Sequence, residues 1–245
     1  MTQPDLTSPH KVAAQYAVPT RLETRRSVWG PGPEGVSPVE VLRLAVLDEN
    51  PSRVLEVGCG TGELACVLVA ALPDVHLVAT DLSAGMVAAT RGRAVHALVA
   101  PADRLPFGAT TFEVVVAAWM LYHVPDLHAA LGELRRVLRP DGVLLVATNG
   151  ERHLAELMAD AGSGPLLTQF TSEAAPGLLE AHFGTVTRRD VETRATFDDH
   201  AAAVGYLASF DEQLAQALPP FDGSRSYAGH ASVLTARGPR RSRRD

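Results

Sequence analysis

The sequence predicts an α/β fold wound on a mostly parallel sheet, and three observations carry that prediction. The stretch Arg53 to Gly62, RVLEVGCGTG, is a short apolar run that closes on an acid and breaks into three glycines at alternating positions. Val54, Leu55 and Val57 supply the aliphatic content of a strand covered on both faces. Further short apolar runs, His76–Thr80, Val95–Ala100, Thr111–Ala118 and Val143–Thr148, alternate with helix-length periodic segments. The second run ends in Asp81, 19 residues after Gly62, a spacing that brings an acid beside the loop of the first strand.

Composition bounds the rest. A chain of 245 residues suits one domain, or one domain with a small lid. With 46% apolar residues it can bury a core, and a formal charge of −6 argues against a general DNA, RNA or anionic-membrane binder. The two cysteines, Cys59 and Cys66, give neither a disulfide framework nor metal-ligand spacing, so no metal is expected and a reduced cytoplasmic setting is. No apolar run approaches the ~20 residues of a membrane span, and the polar start lacks a signal-peptide core. Oligomeric state is left open.

Taken in order, residues 1–9 read as a polar tail, and helix-like periodicity begins near His10. Gln15 to Trp29 carries aromatic and arginine residues ahead of the linker GPGPEG; it is a lid with Tyr16, Arg21 and Arg25 turned to the site, or a surface helix with solvated arginines. Ser37 with Glu40 forms a capping-box pattern before a helix whose buried side would be Val39, Val41, Leu42, Leu44, Ala45 and Leu47. Asn50-Pro51 ends that helix, Glu63–Leu72 follows the glycine turn, and Pro73-Asp74 turns into the second strand. Ser83 caps the next helix, in which Met86 and Val87 are core. Asp126 starts a helix over Leu127–Leu138, and Arg139-Pro140-Asp141-Gly142 is a turn before the fifth strand. Helical pieces near 151–161 and 172–182 precede a sixth strand, Thr185–Phe197, a capped helix, Asp198–Leu218, and a last strand, Tyr227–Ala236. The tail GPRRSRRD reads as a solvated basic end more readily than as an RNA contact.

The glycines at 58, 60 and 62 let the backbone turn without a Cβ and approach a ligand. In a dinucleotide fingerprint the third glycine comes one place later, and here that slot is Glu63. Pyrophosphate beside Glu56 and Glu63 would be repelled and a cation favoured, which suits S-adenosylmethionine better than NAD.

At this point the sequence resembles the class I S-adenosylmethionine-dependent methyltransferases, in the branch of the ubiquinone and menaquinone enzymes. PADRLPF at 101–107, TFEVVVAA leading into WMLYHVPD at 119–126, and TNGERH at 148–153 carry the likeness further. The resemblance implies a Rossmann-like sheet of seven strands in the order 3-2-1-4-5-7-6, its last strand antiparallel, with helices on both faces. It implies a domain at 37–237 behind a tail and lid at 1–36, with a disordered end at 238–245. It assigns the cofactor to Glu56, Gly58, Cys59, Gly60, Asp81, Leu82, Ala102, Asp103, Ala118 and Trp119. Pro101 stands where the branch carries an acid for the adenine amino group, so Asp103 is the remaining acid there. Tyr122, Asn149 and His153 join Tyr16, Arg21 and Arg25 as candidate acceptor contacts.

The chemistry expected is in-line methyl transfer to an O, N or C nucleophile of a small molecule, natural-product acceptors included, in which positioning does much of the work. His123 is the candidate general base, because an imidazole titrates near neutrality; it could instead order the loop or hold the acceptor. No N-P-P-Y or D-P-P-Y run follows the fourth strand, the signature by which amino-methylating enzymes of DNA and some of RNA hold a flipped base. A silent S-adenosylmethionine-binding scaffold and an RNA-modifying enzyme are the other readings.

Overall fold

The computed structural model describes Tyr16 and residues 19–239. The expected tail over residues 1–9, the periodic start at His10 and nearly all of the basic end lie outside the described residues. The chain opens with α1 (Pro19–Ser27) and β1 (Trp29–Pro31), then α2 (Pro38–Asp48), β2 (Arg53–Val57), α3 (Glu63–Ala71), β3 (His76–Asp81), α4 (Ala84–Gly92) and β4 (His96–Val99). It continues with β5 (Phe112–Ala118), a 3₁₀ turn (Leu121–His123), α5 (Leu127–Val137), β6 (Leu138–Asn149), α6 (Ala155–Asp160) and α7 (Ala175–Glu180). The last elements are β7 (Phe183–Phe197), α8 (His200–Ala208), α9 (Glu212–Ala217) and β8 (Arg225–Pro239).

One eight-stranded sheet holds the order β1-β7-β8-β6-β5-β2-β3-β4. The count corrects the expected seven: β1, from the segment read as a lid, closes the edge beyond β7 and raises every later strand's number by one. β1 pairs antiparallel with β7, and β8 runs antiparallel to both β6 and β7. The five strands from β6 to β4 are parallel to one another. Strand order reverses between β2 and β5, which opens a crevice at their carboxyl ends.

Alternation along the strands feeds two cores. Leu55, Val57, Val115 and Val146 pack on one face with α5 and α7, and Val54, Val114, Leu145 and α2, α3 and α4 fill the other. A third cluster lies beneath α8 and α9, where Phe197, Tyr206, Leu207 and Tyr227 meet α6.

Several local expectations are corrected. Ser37 sits at the N-cap of α2 but its side chain makes no capping bond, and the Glu40 carboxylate, which would return the bond in a capping box, is held in a two-point pair with Arg43 (2.7 and 2.6 Å). Val39 and Leu44 are exposed, and Pro38 and Val46 take the buried positions. The turn expected at Arg139–Gly142 is absorbed into β6, where the ladder slips from Phe112↔Leu138 to Val114↔Val143. The single helix expected over Asp198–Leu218 divides, since Asp211 accepts the amides of Gln213 and Leu214 and starts α9 afresh. Ser83, Asp126 and Asp199 cap α4, α5 and α8.

Candidate functional site

The parallel register puts Val57 beside Thr80 and Ala117, so β2, β3 and β5 end level. The chain then leaves β2 through Gly58, Gly60 and Gly62, all at positive φ (73°, 56° and 78°). The N–H groups of Gly58 and Cys59 both donate to the Thr80 carbonyl (2.7 and 3.0 Å), which clamps the loop to β3. A Cβ at Gly58 would lie 2.6 Å from the Cβ of Met120, and one at Gly60 would lie 2.8 Å from Leu22 of α1. The glycines are therefore needed twice, for their dihedrals and for clearance.

Asp81, at the end of β3, is turned into this loop. Its Oδ2 accepts the Gly60 N–H (2.9 Å) and its Oδ1 the Ser83 N–H (2.8 Å). Burial raises its carboxyl above the usual aspartate range, opposed by these amides. Each oxygen keeps a second lone pair toward the cavity, the arrangement needed to receive a pair of hydroxyls. Glu56 lies deeper, 3% exposed, and its Oε2 has no hydrogen-bond partner among the described residues. Burial pushes its carboxyl up to about 8, against the pull of Arg26 and with a further push from Asp81.

Arg26, which the sequence reading passed over, closes the loop from above: its Nη1 donates to Thr61 Oγ1 (3.0 Å) and pairs with Glu63 (3.1 Å). Cys59 is not among the residues lining this cavity; its sulfur faces Thr90 behind the turn (3.4 Å), and burial holds the thiol up at about 12. Leu82, Ala102, Asp103 and Ala118 line the cavity as expected, and Ala102 is buried while Leu82 and Asp103 are exposed.

Past β5 the backbone turns sharply at Trp119, whose φ is +53°, uncommon for a bulky residue. Its amide donates to the Ala147 carbonyl (2.7 Å) and its indole N–H to Asn149 Oδ1 (3.0 Å). The turn seats Met120 under Gly58 and sends Tyr122 and His123 to the cavity wall. Tyr16 lies on the other wall, its hydroxyl 2.8 Å from His123 Nε2. Its backbone carbonyl accepts from Ser83 (3.0 Å), and burial raises its phenol, with Arg25 opposing. The Arg25 guanidinium lies over the Tyr16 ring, 4.8 Å from its centroid.

Met158, Tyr206 and Phe210, which the sequence did not place at the site, help complete a cavity of about 960 Å³. That is near the top of the ~300–1,000 Å³ usual for small-ligand sites, with space for a cofactor and an acceptor side by side. Trp29 stacks on His153 (4.7 Å, 26°), and Met158, Tyr206 and Phe210 add apolar surface. The aromatic pair at 206 and 210, four apart on a helix end, was the available signal. His153 rests its Nδ1 against the His230 backbone (3.1 Å), and burial lowers it to about 4, so it is neutral at pH 7. Arg21 is a correction: it is not among the cavity's lining and instead borders a shallow surface groove with Thr20, Thr24 and Glu212. Among the described residues no cluster of three metal-ligating side chains exists.

A family model described as a methyltransferase domain matches residues 55–146, the span from β2 to β6. Over that span the chain is similar to the methyltransferase domain of class I S-adenosylmethionine-dependent enzymes. It is 33% identical over 128 residues to a malonyl-[acyl-carrier protein] O-methyltransferase of Methylovorus sp., covering 48% of this chain and 43% of that protein. It is 38% identical over 106 residues to a demethylmenaquinone methyltransferase of Thermus thermophilus, covering 41% and 48%. The chain thus spans about half the length of these curated relatives. Among solved structures, the [4+2]-cyclase SpnF matches with a TM-score of 0.64 at 19% identity, over 93% of this chain and 96% of that one. The YcgJ protein of Bacillus subtilis matches at 0.61 and 17%, over 82% and 99%; both show the fold.

The residues of this site fit S-adenosylmethionine. A cationic ligand would meet the buried Glu56 carboxyl, whose Oε2 has no partner among the described residues, and the glycine loop clears the space a Cβ would fill. No described helix is long and apolar enough to cross a membrane.

Proposed function

We propose that this protein transfers a methyl group from S-adenosylmethionine to an oxygen, nitrogen or carbon nucleophile of a small molecule held at the aromatic end of the cavity. The observation that carries the reading is a single chamber that joins the glycine-loop cradle, with its two buried acids, to an aromatic wall bearing a Tyr–His pair. When bound, S-adenosylmethionine supplies a methyl group activated by its positive sulfur. Asp81 is suited to the ribose hydroxyls, Glu56 and Arg26 to the charged amino-acid end, and Leu82, Ala102 and Asp103 to the adenine. Trp119 and Ala118 border the methyl-bearing region, and Asn149, by accepting the Trp119 indole N–H, braces that wall.

Acceptor chemistry falls to the Tyr16–His123 pair. Nε2 of His123 faces the Tyr16 hydroxyl, so the hydroxyl meets the acceptor, takes its proton and passes its own to Nε2. The acceptor nucleophile is then free to attack, and the low-dielectric chamber favours charge neutralisation over separation. His153, held neutral and stacked under Trp29, shapes the wall instead of exchanging protons.

The test begins with a screen of small-molecule acceptors against methyl-labelled cofactor. With an acceptor in hand, His123→Ala and Tyr16→Phe should each lower turnover by roughly 10²–10⁴-fold, and the double variant should lose little more, because the two act as a unit. The wild-type rate should rise with pH through an ionisation absent from His123→Ala. Wild-type turnover in His123→Ala at saturating acceptor across about pH 6–9 would remove the pair from the mechanism and leave positioning alone.

A further inference from the structure

Resting on that reading of the chamber, we infer that the acceptor is a planar, largely apolar molecule carrying an anionic group, and that Arg25 is the residue that selects it. The charges lining the cavity divide into two sets. Glu56, Glu63, Asp81 and Arg26 gather at the glycine loop, with Asp103 and Arg104 after β4, and there Arg26 is already paired with Glu63 and Thr61. Arg25 is turned the other way. It lies over Tyr16, and its charge acts on the buried hydroxyls of Tyr122 and Tyr206 at the aromatic end.

That guanidinium is poorly satisfied. Its Nη2 is sealed from solvent and has no hydrogen-bond acceptor among the described residues. The phenols it acts on, Tyr16, Tyr122 and Tyr206, are themselves raised by burial, so none offers a counter-charge near neutrality. His153 is neutral there as well. A cationic donor atom sealed from solvent without an acceptor is costly, and its persistence beside a cavity points to a ligand that supplies the anion. Arginine's planar fork suits a carboxylate or an ionised enol or phenol, which it can hold in two-point fashion.

The rest of the chamber end describes the body of the ligand. The Trp29–His153 stack gives a flat wall, and Met158, Tyr206 and Phe210 face it with apolar surface. Such a slot admits a ring system and has no second charge to hold a dianion.

The experiment compares 2-naphthoate with its neutral isostere 2-naphthamide by calorimetry, on the full chain with and without S-adenosylhomocysteine. The expected result is at least about tenfold tighter binding of the naphthoate, the scale of one charge-assisted hydrogen bond. Arg25→Met should bring the two probes to within about threefold, and Arg25→Lys should keep part of the preference; melting curves report whether each variant folds. Equal affinities in the wild type, no binding of either probe, or a preference that survives in Arg25→Met overturns the inference. So does an Arg25→Met variant that loses S-adenosylhomocysteine and keeps the probe preference, since Arg25 then serves the cofactor. Failure of S-adenosylhomocysteine to bind the wild type is a separate result that strikes the methyltransferase reading, because the probe comparison on the unloaded chain still reads Arg25.

Discussion

Glu56→Gln is the perturbation with the sharpest consequence. Burial holds this carboxyl at about 8 in place of its ordinary 4.5, so the unliganded protein at pH 7 keeps it about nine-tenths protonated. A cation seated at the glycine loop favours the carboxylate, and binding therefore expels close to one proton near pH 7. Affinity for S-adenosylmethionine should rise by up to about tenfold per pH unit from pH 6 toward 8 and flatten above. The ligand's own α-ammonium titrates near ~8, so the slope is read as the difference between wild type and Glu56→Gln. Calorimetry in buffers of different ionisation enthalpy counts the released proton directly. Stability carries the same sign. A carboxyl raised on folding favours the folded state fully below about 4.5 and loses that advantage as pH rises through about 8, up to about 5 kcal/mol in all. The unliganded wild type should thus lose melting temperature against Glu56→Gln over that window. Equal proton release by the two proteins, or a melting-temperature gap that does not change with pH, would refute the reasoning.

Gly58→Ala should destabilise the fold by about 1–3 kcal/mol, because the new Cβ would meet Met120 at 2.6 Å on a residue with φ +73°. Thermal unfolding checks this, and Met120→Ala in the same chain should leave most of the penalty, because the nearest clash is with the Met120 Cβ, which alanine keeps. Asp81→Asn should weaken S-adenosylhomocysteine binding by about 10–100-fold through loss of charge-assisted hydrogen bonds. Calorimetry reads it, and unchanged affinity would move the ribose away from the end of β3.

Much of this protein was determined by local sequence. The β2–glycine loop–α3 unit follows from an apolar run, three glycines and an amphipathic helix, and each of those signals acts within a few residues of itself. Asp81 was equally legible, since parallel pairing of β2 with β3 brings the end of one strand to the loop of the other whatever the side chains between them. The caps at Ser83 and Asp126 needed only the residue and the next three.

Tertiary structure decided what depends on distant partners. The eighth strand exists because Trp29–Pro31 finds the edge of β7, more than 160 residues away, and nothing local to three residues specifies a strand. The same docking set the direction of α1, placing Arg25 and Arg26 at the cavity and Arg21 at a surface groove, a choice that the similar residues of that helix could not announce. The Glu40 half of the capping box at Ser37 is lost to Arg43, a partner the box pattern does not include. The Tyr16–His123 contact joins residues 107 positions apart. It forms only once the sheet has folded, because a hydrogen bond of 2.8 Å requires a geometry that residue identity alone does not carry.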